Sequence, residues 1–466
     1  MISYAFIFLK HILAIFVVTK LLFFMKFFFR LHKLLLIIAF LVLGVCCCHQ
    51  ANALTTAKLQ RGNKVYRIHD DIYHPNIRTV RLNRLDQELS FPVIAYRQGE
   101  KLQLTFDDLD GDVKLYHYTV VHCDAKWNLS DLWPSDYISG FTDETIENYR
   151  FSFNTLQPYT HYELILPNER FDFTLPGNYL LIVYPANDPN SVAFTRRFSV
   201  LDAKVNIEGF VRMPPASPER RKKHEVGFTV SSPQLRIVDP YRNLKVEVRQ
   251  NNRWDNALHL QPYQILGDVF DYRYPDESNT FYAVNEFRAF DLRSVRYHTK
   301  GVREILRDSD NYHIYLWPDQ RRTFSSYIHE NDLNGRFHIM AEDAFDPAVG
   351  SEYVYVHFTL AMETPIPGAG VYITGMLSDW QFRDDNRMEY NMSRSAYEAS
   401  MFLKQGFYNY HYSLLPPGET SGDTGFFEGN HADTGNEYTI YVYYREPGKR
   451  YDSLIGIKTL NSRDFL

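Results

Sequence analysis

The chain has 466 residues, of which 45% are hydrophobic, and a formal net charge of −6 at pH 7. This length and apolar content exclude a disordered tail and leave room for about three domains. The slightly acidic balance excludes a general nucleic-acid binder, which needs a clustered basic face. Aromatic residues make up 16% of the chain. Because aromatic and β-branched side chains favour strands, the composition predicts an all-β protein.

The N-terminus has the pattern of a secretory signal. From Met25 the chain reads "MKFFFRLHKLLLIIAFLVLGVCCCHQANA". A basic stretch precedes an apolar run, and Ala51 and Ala53 form the A-x-A cleavage site that follows it. We predict that residues 1–53 are a cleaved signal peptide, that translation starts near Met25 and that cleavage follows Ala53. Attachment of a lipid at Cys46 is the alternative for this segment.

Removal of this segment changes the charge and the cysteine content. It holds five of the 50 basic residues and no acidic residue, so the mature chain carries 45 basic and 56 acidic residues, a formal charge of −11. Three of the four cysteines also leave, and Cys123 remains alone, so no intrachain disulfide can form. We expect a periplasmic monomer, held together by its cores, with no membrane span after removal of the signal.

Short segments with a period of two recur along the mature chain and predict strands. They are residues 115–123, 178–184, 244–250, 312–317, 352–360, 407–415 and 438–446. In 352–360 the even-numbered residues from Val354 to Leu360 share one apolar face, which can pack inward. No long stretch has a helical period. The repeated strands predict tandem β-sandwich domains of the immunoglobulin-like or E-set type.

Two stretches that follow closing strands suggest domain borders. One is "VLDAKV" (200–205), and the other, "METPIPGAG" (362–370), is rich in proline and glycine. Together they predict three domains after the signal peptide. These are an N-terminal β-domain at 54–202, a middle β-sandwich at 203–362 and a C-terminal E-set domain at 363–466.

A histidine and a cysteine stand side by side in "VVHCDAKWNLSDLW" (120–133). On a predicted strand, neighbouring side chains project to opposite faces, so His122 cannot reach the Cys123 thiol as a catalytic dyad requires. We predict that Cys123 is a buried, small apolar side chain.

Two acidic stretches have the residue types of metal sites. "HDDIYH" (69–74) is followed at once by Pro75 and a strand-like segment, whereas the ligands of comparable sites lie on helices. "DDLDGD" (107–112) resembles a calcium loop, but Phe106 occupies the first ligand position and His117 the twelfth, where an acid is required. The mature chain contains no phosphate-binding, nucleophile-elbow, zinc or redox motif. We predict no catalytic residue, no metal ligand and no cofactor.

A basic run lies in the predicted middle domain. The loop "MPPASPERRKKH" (213–224) holds four consecutive basic residues, Arg220, Arg221, Lys222 and Lys223. Such a run is either a solvated loop or a contact for an acidic partner, and the sequence leaves both interpretations open.

Several long stretches resemble one protein family. They are "ELSFPVI" (88–94), "LTFDDLDGDVKLYHYTVVHCDAKWN" (104–128), "FSFNTLQPYTHYELILPN" (151–168), "GNYLLIVY" (177–184) and "NEYTIYVYYREPGKRYDSLIGIKTLNS" (436–462). They are similar to the plug proteins of the type IX secretion system of Bacteroidota. The resemblance implies a non-enzymatic periplasmic protein that docks under the outer-membrane β-barrel translocon. It further implies that the protein closes the periplasmic opening when no substrate is passing.

The C-terminal segment suggests a second hypothesis. "VYITGMLSDW" (371–380) and "YEASMFLKQGFYNYHYSL" (397–414) are similar to the sandwich modules that bind glycogen and starch. The resemblance implies that Trp380 stacks on a sugar. However, Tyr397 stands where a second stacking tryptophan is expected, and a long loop replaces the turn that contacts the sugar. A carbohydrate-binding protein is the alternative function.

Overall fold

Strands carry most of the backbone in the computed structural model, which describes residues 58–61, 64–215 and 217–465. The predicted signal peptide, with Ala51, Ala53 and Cys46, lies outside the described residues. The predicted all-β class with β-sandwich packing is confirmed. Each of the seven segments with a period of two forms a strand.

The strands are numbered in chain order. They are β1 (Lys58–Arg61), β2 (Lys64–Arg67), β3 (Asp71–Ile72), β4 (Ile77–Arg84), β5 (Val93–Ala95), β6 (Leu102–Asp108), β7 (Tyr116–Cys123), β8 (Ile138–Gly140), β9 (Glu144–Ile146), β10 (Asn148–Phe151), β11 (Thr160–Leu166), β12 (Phe171–Phe173), β13 (Gly177–Pro185), β14 (Phe194–Leu201), β15 (Asn206–Arg212) and β16 (Lys223–Ser231). The second half comprises β17 (Leu244–Gln250), β18 (Leu258–Leu260), β19 (Gln264–Leu266), β20 (Val269–Asp271), β21 (Thr280–Tyr282), β22 (Arg288–Asp291), β23 (Val302–Arg307), β24 (Tyr312–Leu316), β25 (Phe337–Ile339), β26 (Tyr353–Ala361), β27 (Gly370–Thr374), β28 (Arg387–Asn391), β29 (Ala396–Lys404), β30 (Gly406–Leu415), β31 (Glu437–Tyr444) and β32 (Ser453–Asn461).

The helices of the described residues are single turns between strands. They are α1 (Pro134–Tyr137), α2 (Pro240–Asn243), α3 (Pro347–Gly350) and α4 (Gly425–Glu428), with 3₁₀ turns at Met376–Ser378, Asp384–Asn386 and Ser462–Asp464. Proline occupies the first turn of α1, α2 and α3, where its missing N–H removes no helical hydrogen bond. No described helix has the length and apolar character needed to cross a membrane.

The longest sheet joins strands from distant parts of the chain. Its order is β18-β17-β31-β32-β14-β13-β7-β9, and β3 and β5 also pair with β14. Strands β14 and β32 run parallel, with Leu201 opposite Leu454. The sheet therefore continues from strands of the first 201 residues directly into β32 and β31, which come from residues 437–461.

A first core lies between one half of this sheet and the four-stranded sheet β10-β11-β6-β4. Its aromatic residues pack closely, as shown by Phe106, whose ring stacks on Tyr162 with centroids 4.9 Å apart. Alternate residues of β6 supply the buried side chains Leu102, Leu104 and Phe106, as expected for a strand with one inward face.

Two further large cores lie elsewhere in the described part of the chain. The second lies between the other half of the long sheet and the five-stranded sheet β15-β16-β20-β19, to which β21 also pairs through β16. The third is enclosed by the nine-stranded sheet β22-β30-β27-β28-β29-β26-β24-β23, with β25 paired to β30. As predicted, the even-numbered residues of β26 from Val354 to Leu360 face this third core.

The segments 203–362 and 363–466 do not coincide with separate cores. The third core joins Val354 on β26 to Met401 on β29, across residue 362, and the second core includes Tyr438 from near the end of the chain. The third core is thus an insertion between β21 and β31 of the second sandwich. The proline and glycine residues at 362–370 mark a connection inside one core, because local composition reports a turn but not the partners of the flanking strands.

A buried ion pair joins the first and third cores. Lys404 Nζ on β29 lies 2.6 Å from Asp107 Oδ2 on β6, and both side chains are 1% exposed. Tyr353 OH donates to Asp107 at 2.7 Å, and His161 Nδ1 lies 2.6 Å from its other oxygen. Burial acts to raise the pKa of Asp107, but Lys404 and the His161 hydrogen bond outweigh it, so this pKa is lowered. The carboxylate remains ionised at neutral pH.

Asp107→Asn should lower the free energy of unfolding by about 3–5 kcal/mol, because it leaves the Lys404 ammonium buried without its counter-charge. The double variant Asp107→Asn/Lys404→Met removes that charge as well, and we expect it to be more stable than the single variant. Urea unfolding at pH 7 measures all three proteins. Equal midpoints for the wild type and Asp107→Asn would contradict a structural role for the pair.

Candidate interaction surface

Strand β10 is an open edge of the first sandwich. It ends the sheet β10-β11-β6-β4, and β11 is its only partner among the described strands. Just beyond β10, Ser152 N donates to Tyr159 O at 2.8 Å. Because hydrogen-bonded and open positions alternate in an antiparallel pair, Tyr149 and Phe151 direct their backbone N–H and C=O groups toward the open edge. Such an edge can accept a further strand from a partner.

The same strand exposes aromatic side chains. Tyr149, Phe151 and Phe153 are 40%, 53% and 79% exposed, respectively. The rings of Tyr149 and Phe151 are 6.0 Å apart in an edge-to-face arrangement, and Tyr149 lies 5.9 Å from the buried Tyr162. The contact with Tyr162 anchors this exposed group on the first core. Contiguous exposed aromatic residues are typical of surfaces that bind a partner.

A loop from the third core adds a fourth aromatic residue beside β10. Phe345 is fully exposed, and its neighbour Asp346 forms an ion pair with Arg150. Phe153 N also donates to Val349 O at 2.9 Å. These two contacts hold the loop against the strand. The surface formed by Tyr149, Phe151, Phe153 and Phe345 is named the aromatic edge.

An acidic groove of about 360 Å³ lies near the other end of β10. Its lining includes four carboxylates, those of Glu144, Glu147, Glu163 and Glu169. Arg170 pairs with the first two of these, at 3.4 Å and 3.1 Å. The groove therefore keeps an excess of negative charge, which favours a partner with basic side chains at this position.

The four residues of the predicted basic run fall into two pairs with different surroundings. Lys222 pairs with Glu219 at 3.1 Å, and Lys223 pairs with Glu219 and Glu277 and lies 4.8 Å over the Tyr282 ring. These two lysines thus have acidic partners within the chain. Arg220 and Arg221 are exposed and form no ion pair with a described residue. These two alone among the four are free to contact an external acidic partner.

The structure buries Trp380, the residue predicted to stack on a sugar. Its side chain is 9% exposed and packs edge-to-face on Phe287 at 5.9 Å. The Arg253 guanidinium lies 5.6 Å over its ring. Gly335 lies directly against the indole, since a Cβ added there would be 2.6 Å from the ring. Neither ring face is open for a sugar to stack upon.

The adjacent His122 and Cys123 do project to opposite faces of β7. Cys123 is buried in an apolar cluster with Leu180, as predicted, and burial raises the pKa of its thiol. His122 is buried on the other face, with Nδ1 2.8 Å from Ser130 Oγ. Burial lowers the pKa of His122 to about 4. The two side chains cannot act on each other's proton.

The acidic stretches serve structural ion pairs. In "HDDIYH", Asp70 accepts hydrogen bonds from Arg197 at 2.9 Å, and Asp71 pairs with Arg383 at 3.2 Å. In "DDLDGD", Asp107 holds Lys404. Within the described part of the chain, no three histidine, cysteine or acidic side chains are arranged to hold a metal ion.

Sequence reasoning did not single out the aromatic edge. The stretch "NYRFSF" (148–153) has the period of a strand, and this signal is available before the structure. Its position at the edge of a sheet depends on strand pairing, and Phe345 arrives from a loop almost 200 residues away. The pattern alone therefore does not distinguish these rings from buried ones.

Taken together, the fold and this surface define an all-β protein with exposed aromatic side chains on an open sheet edge. A family model described as "Type 9 secretion system plug protein 1st domain" matches residues 77–202, which span β4 to β14 and include β10. The chain thus contains the first domain of the type 9 secretion system plug protein family.

Solved structures were also compared with the chain. The crystal structure of a hypothetical protein from Parabacteroides merdae ATCC 43184 is 36% identical, with a TM-score of 0.82, over 86% of this chain and 100% of that one. Trypsin-activated alpha-2-macroglobulin from Escherichia coli is 10% identical over 82% of this chain and 28% of its own. Its TM-score of 0.16 is too low to indicate a common fold. A search of curated proteins found no match.

The buried position of Trp380 gives a prediction about the carbohydrate hypothesis. Trp380→Ala should destabilise the protein by about 3–5 kcal/mol, the usual cost of deleting a buried tryptophan side chain. The mobility of the Trp380→Ala variant in a native gel containing soluble glucan should equal that of the wild type. Trp317→Ala, at a residue that is 62% exposed, serves as the matched control and should keep its stability. Retardation of the wild type by glucan, lost in Trp380→Ala, would instead support sugar stacking.

Proposed function

We propose that this protein is a periplasmic plug that binds the outer-membrane translocon of the type IX secretion system. In this proposal it seals the periplasmic opening of the translocon when no substrate is engaged. Membership of the plug family supports the role. The aromatic edge is the observation that supports a docking surface, because it combines exposed rings with an unpaired strand.

The chemistry of this surface suggests the mode of docking. An extended segment of the translocon adds to the open side of β10 and pairs with the backbone of Tyr149 and Phe151. Apolar side chains of that segment contact the aromatic edge, and basic side chains reach the acidic groove. Main-chain hydrogen bonds supply affinity in this mode, and the two ends of the strand fix its direction.

A seal also requires rigidity and reversibility. A pore wide enough for protein cargo cannot be closed by one side chain, so the plug must offer a rigid surface formed before binding. Three packed β-cores, of which the Asp107–Lys404 pair joins the first and the third, provide that rigidity. A polar interface of moderate size can open again, and the charge of −11 expected for the mature chain keeps the released plug soluble.

Loss of the aromatic edge should weaken binding to the translocon. We expect Phe151→Ser/Phe153→Ser to reduce co-purification of the translocon from detergent extracts by about 10-fold or more, because central aromatic residues contribute about 2 kcal/mol or more to an interface. The melting temperature should be unchanged, since both rings are exposed. Quantitative mass spectrometry of pull-downs measures the ratio of translocon to plug.

Two control variants make this comparison specific. Phe324→Ser removes another exposed ring, 94% exposed, from a loop of the third core, and should keep full binding. Arg220→Ser/Arg221→Ser tests the free half of the basic run. If only the arginine variant loses the translocon, the basic loop is the contact and the aromatic edge is not.

Deletion of the gene should leave protein export largely intact but make the outer membrane permeable to large solutes, because an unplugged translocon stands open when idle. Entry of a bulky antibiotic, measured with and without the translocon gene, checks this expectation. The leak should disappear when the translocon is also deleted. Absence of a leak, or its persistence without the translocon, would contradict sealing.

A further inference from the structure

A hydrogen-bonded chain of four side chains lies on the outer face of the third core, away from the aromatic edge. His357 Nδ1 is 2.7 Å from Ser400 Oγ, and His357 Nε2 is 3.0 Å from His313 Nδ1. His313 Nε2 is in turn 3.0 Å from Asp308 Oδ2. Each ring nitrogen of both histidines is therefore engaged, and the chain links an exposed hydroxyl to a carboxylate.

The sheet places these side chains side by side. Strands β24 and β26 are parallel neighbours, and β26 pairs with β29 so that His357 stands opposite Ser400. The His313 and His357 rings are nearly parallel at 11°. Tyr315 stacks on His357 at 4.3 Å and Tyr355 stacks on His313 at 5.3 Å. The two tyrosine rings restrict rotation of the imidazoles and keep the hydrogen bonds between the four side chains aligned.

The direction of the hydrogen bonds follows from the carboxylate. Asp308 Oδ1 accepts from the backbone N–H groups of Asp310 and Asn311, at 2.8 Å and 2.7 Å, and these bonds favour the ionised form. In the singly protonated tautomer of His313 that donates to an ionised Asp308, the proton lies on Nε2, which leaves Nδ1 as an acceptor. His357 must then donate from Nε2, and its Nδ1 accepts the proton of the Ser400 hydroxyl.

The serine and the histidine that bonds to it differ in exposure, as a reactive pair requires. Ser400 is exposed, whereas His357 is half-buried. Burial, and then the neighbouring His313, lower the pKa of His357, while Glu398 acts in the opposite sense. Asp308, Tyr315 and Tyr355 complete its titratable surroundings. His357 is therefore neutral at pH 7 and able to accept a proton.

Ser400 also borders a cleft. The cleft has a volume of about 560 Å³ and lies between β29 and the segment 72–80. Gln405 N donates to Glu352 O at 2.8 Å, so odd-numbered residues of β29 bond to β26 and the N–H of Ser400 points the other way. The pairing of β28 with β29 ends at Glu398. The Ser400 N–H therefore points away from β26, beyond the last paired residue of β28, on the side where an oxyanion formed at its own side chain could lie.

We propose that Ser400 is an activated nucleophile that accepts an acyl group from an ester. Ser400 Oγ attacks the carbonyl carbon while His357 Nδ1 takes the hydroxyl proton, and the Ser400 N–H donates to the developing oxyanion. His357 then returns the proton to the leaving alkoxide, which departs as the alcohol. Attack by water on the acyl-serine, with His357 again accepting and returning a proton, releases the carboxylic acid. His313 and Asp308 are positioning residues that hold the reactive tautomer of His357.

A fluorophosphonate reagent tests the proposal on the mature chain, because it forms a stable phosphonyl–oxygen bond with activated serines and releases fluoride. We expect one adduct per chain, on Ser400 by peptide mapping, and none on Ser400 in Ser400→Ala. In His357→Gln the rate of labelling should fall by about 100-fold or more, the usual contribution of a general base. Labelling of the wild type should slow as the pH falls and His357 becomes protonated.

Two further variants separate reactivity from folding. Ser393→Ala removes an exposed serine whose hydroxyl bonds only to the nearby Asn391, and should label like the wild type. Asp308→Asn lies on an exposed turn, should keep the melting temperature and should slow labelling at pH 7. No adduct under conditions that saturate a serine esterase, an adduct at another residue, or an equal rate in His357→Gln would each overturn the proposal.

Discussion

The carboxylate of Asp107 is the point at which two cores of this protein depend on each other. Two charges removed from water are tolerated only if each finds partners, and here Asp107, Lys404, Tyr353 and His161 satisfy that condition together. The consequences extend to the surface. Lys404 also donates to Ala348 O at 2.7 Å in α3, the turn that follows Phe345. The desolvated pair thereby positions the loop that completes the aromatic edge.

A second group of contacts reinforces the same junction. Glu352 accepts hydrogen bonds from the backbone of Leu156 and Gln157, at 2.5 Å and 3.2 Å, directly after the aromatic strand. Polar contacts beneath the exposed rings therefore anchor the strand, whereas the rings themselves remain in water. Buried polar networks rigidify a structure when every member is satisfied. In the proposed plug, a surface built in this way would lose little conformational entropy on docking, which suits a contact that forms and releases repeatedly.

Local patterns predicted the strands of this protein better than their assembly. A period of two reports which side chains share a face, and β26 and β7 follow it, including the burial of Cys123. It does not report which strand lies alongside, so the insertion of the third core and the return of β31 to the second sandwich were not predictable from composition. Trp380 shows the same limit, because its similarity to a sugar-stacking residue is local, whereas its burial is determined by Gly335 and Phe287. Phe151 and Tyr162 likewise lie in segments with the same period of two. Only the pairing of their strands places Phe151 at the edge of a sheet and Tyr162 in a core.

The position of β31 and β32 bears on the order in which the protein can fold. A chain that emerges through a membrane from its N-terminus can close the first sandwich and the inserted core early, because both are complete by residue 430. The second sandwich lacks two adjacent strands until residues 437–461 have emerged, and its five-stranded sheet would meanwhile expose an apolar face. Contacts that span more than 200 residues form late and slowly. For the proposed periplasmic protein, export would include an interval in which a nearly complete chain is open to aggregation. A C-terminal truncation of some 30 residues would make that interval permanent.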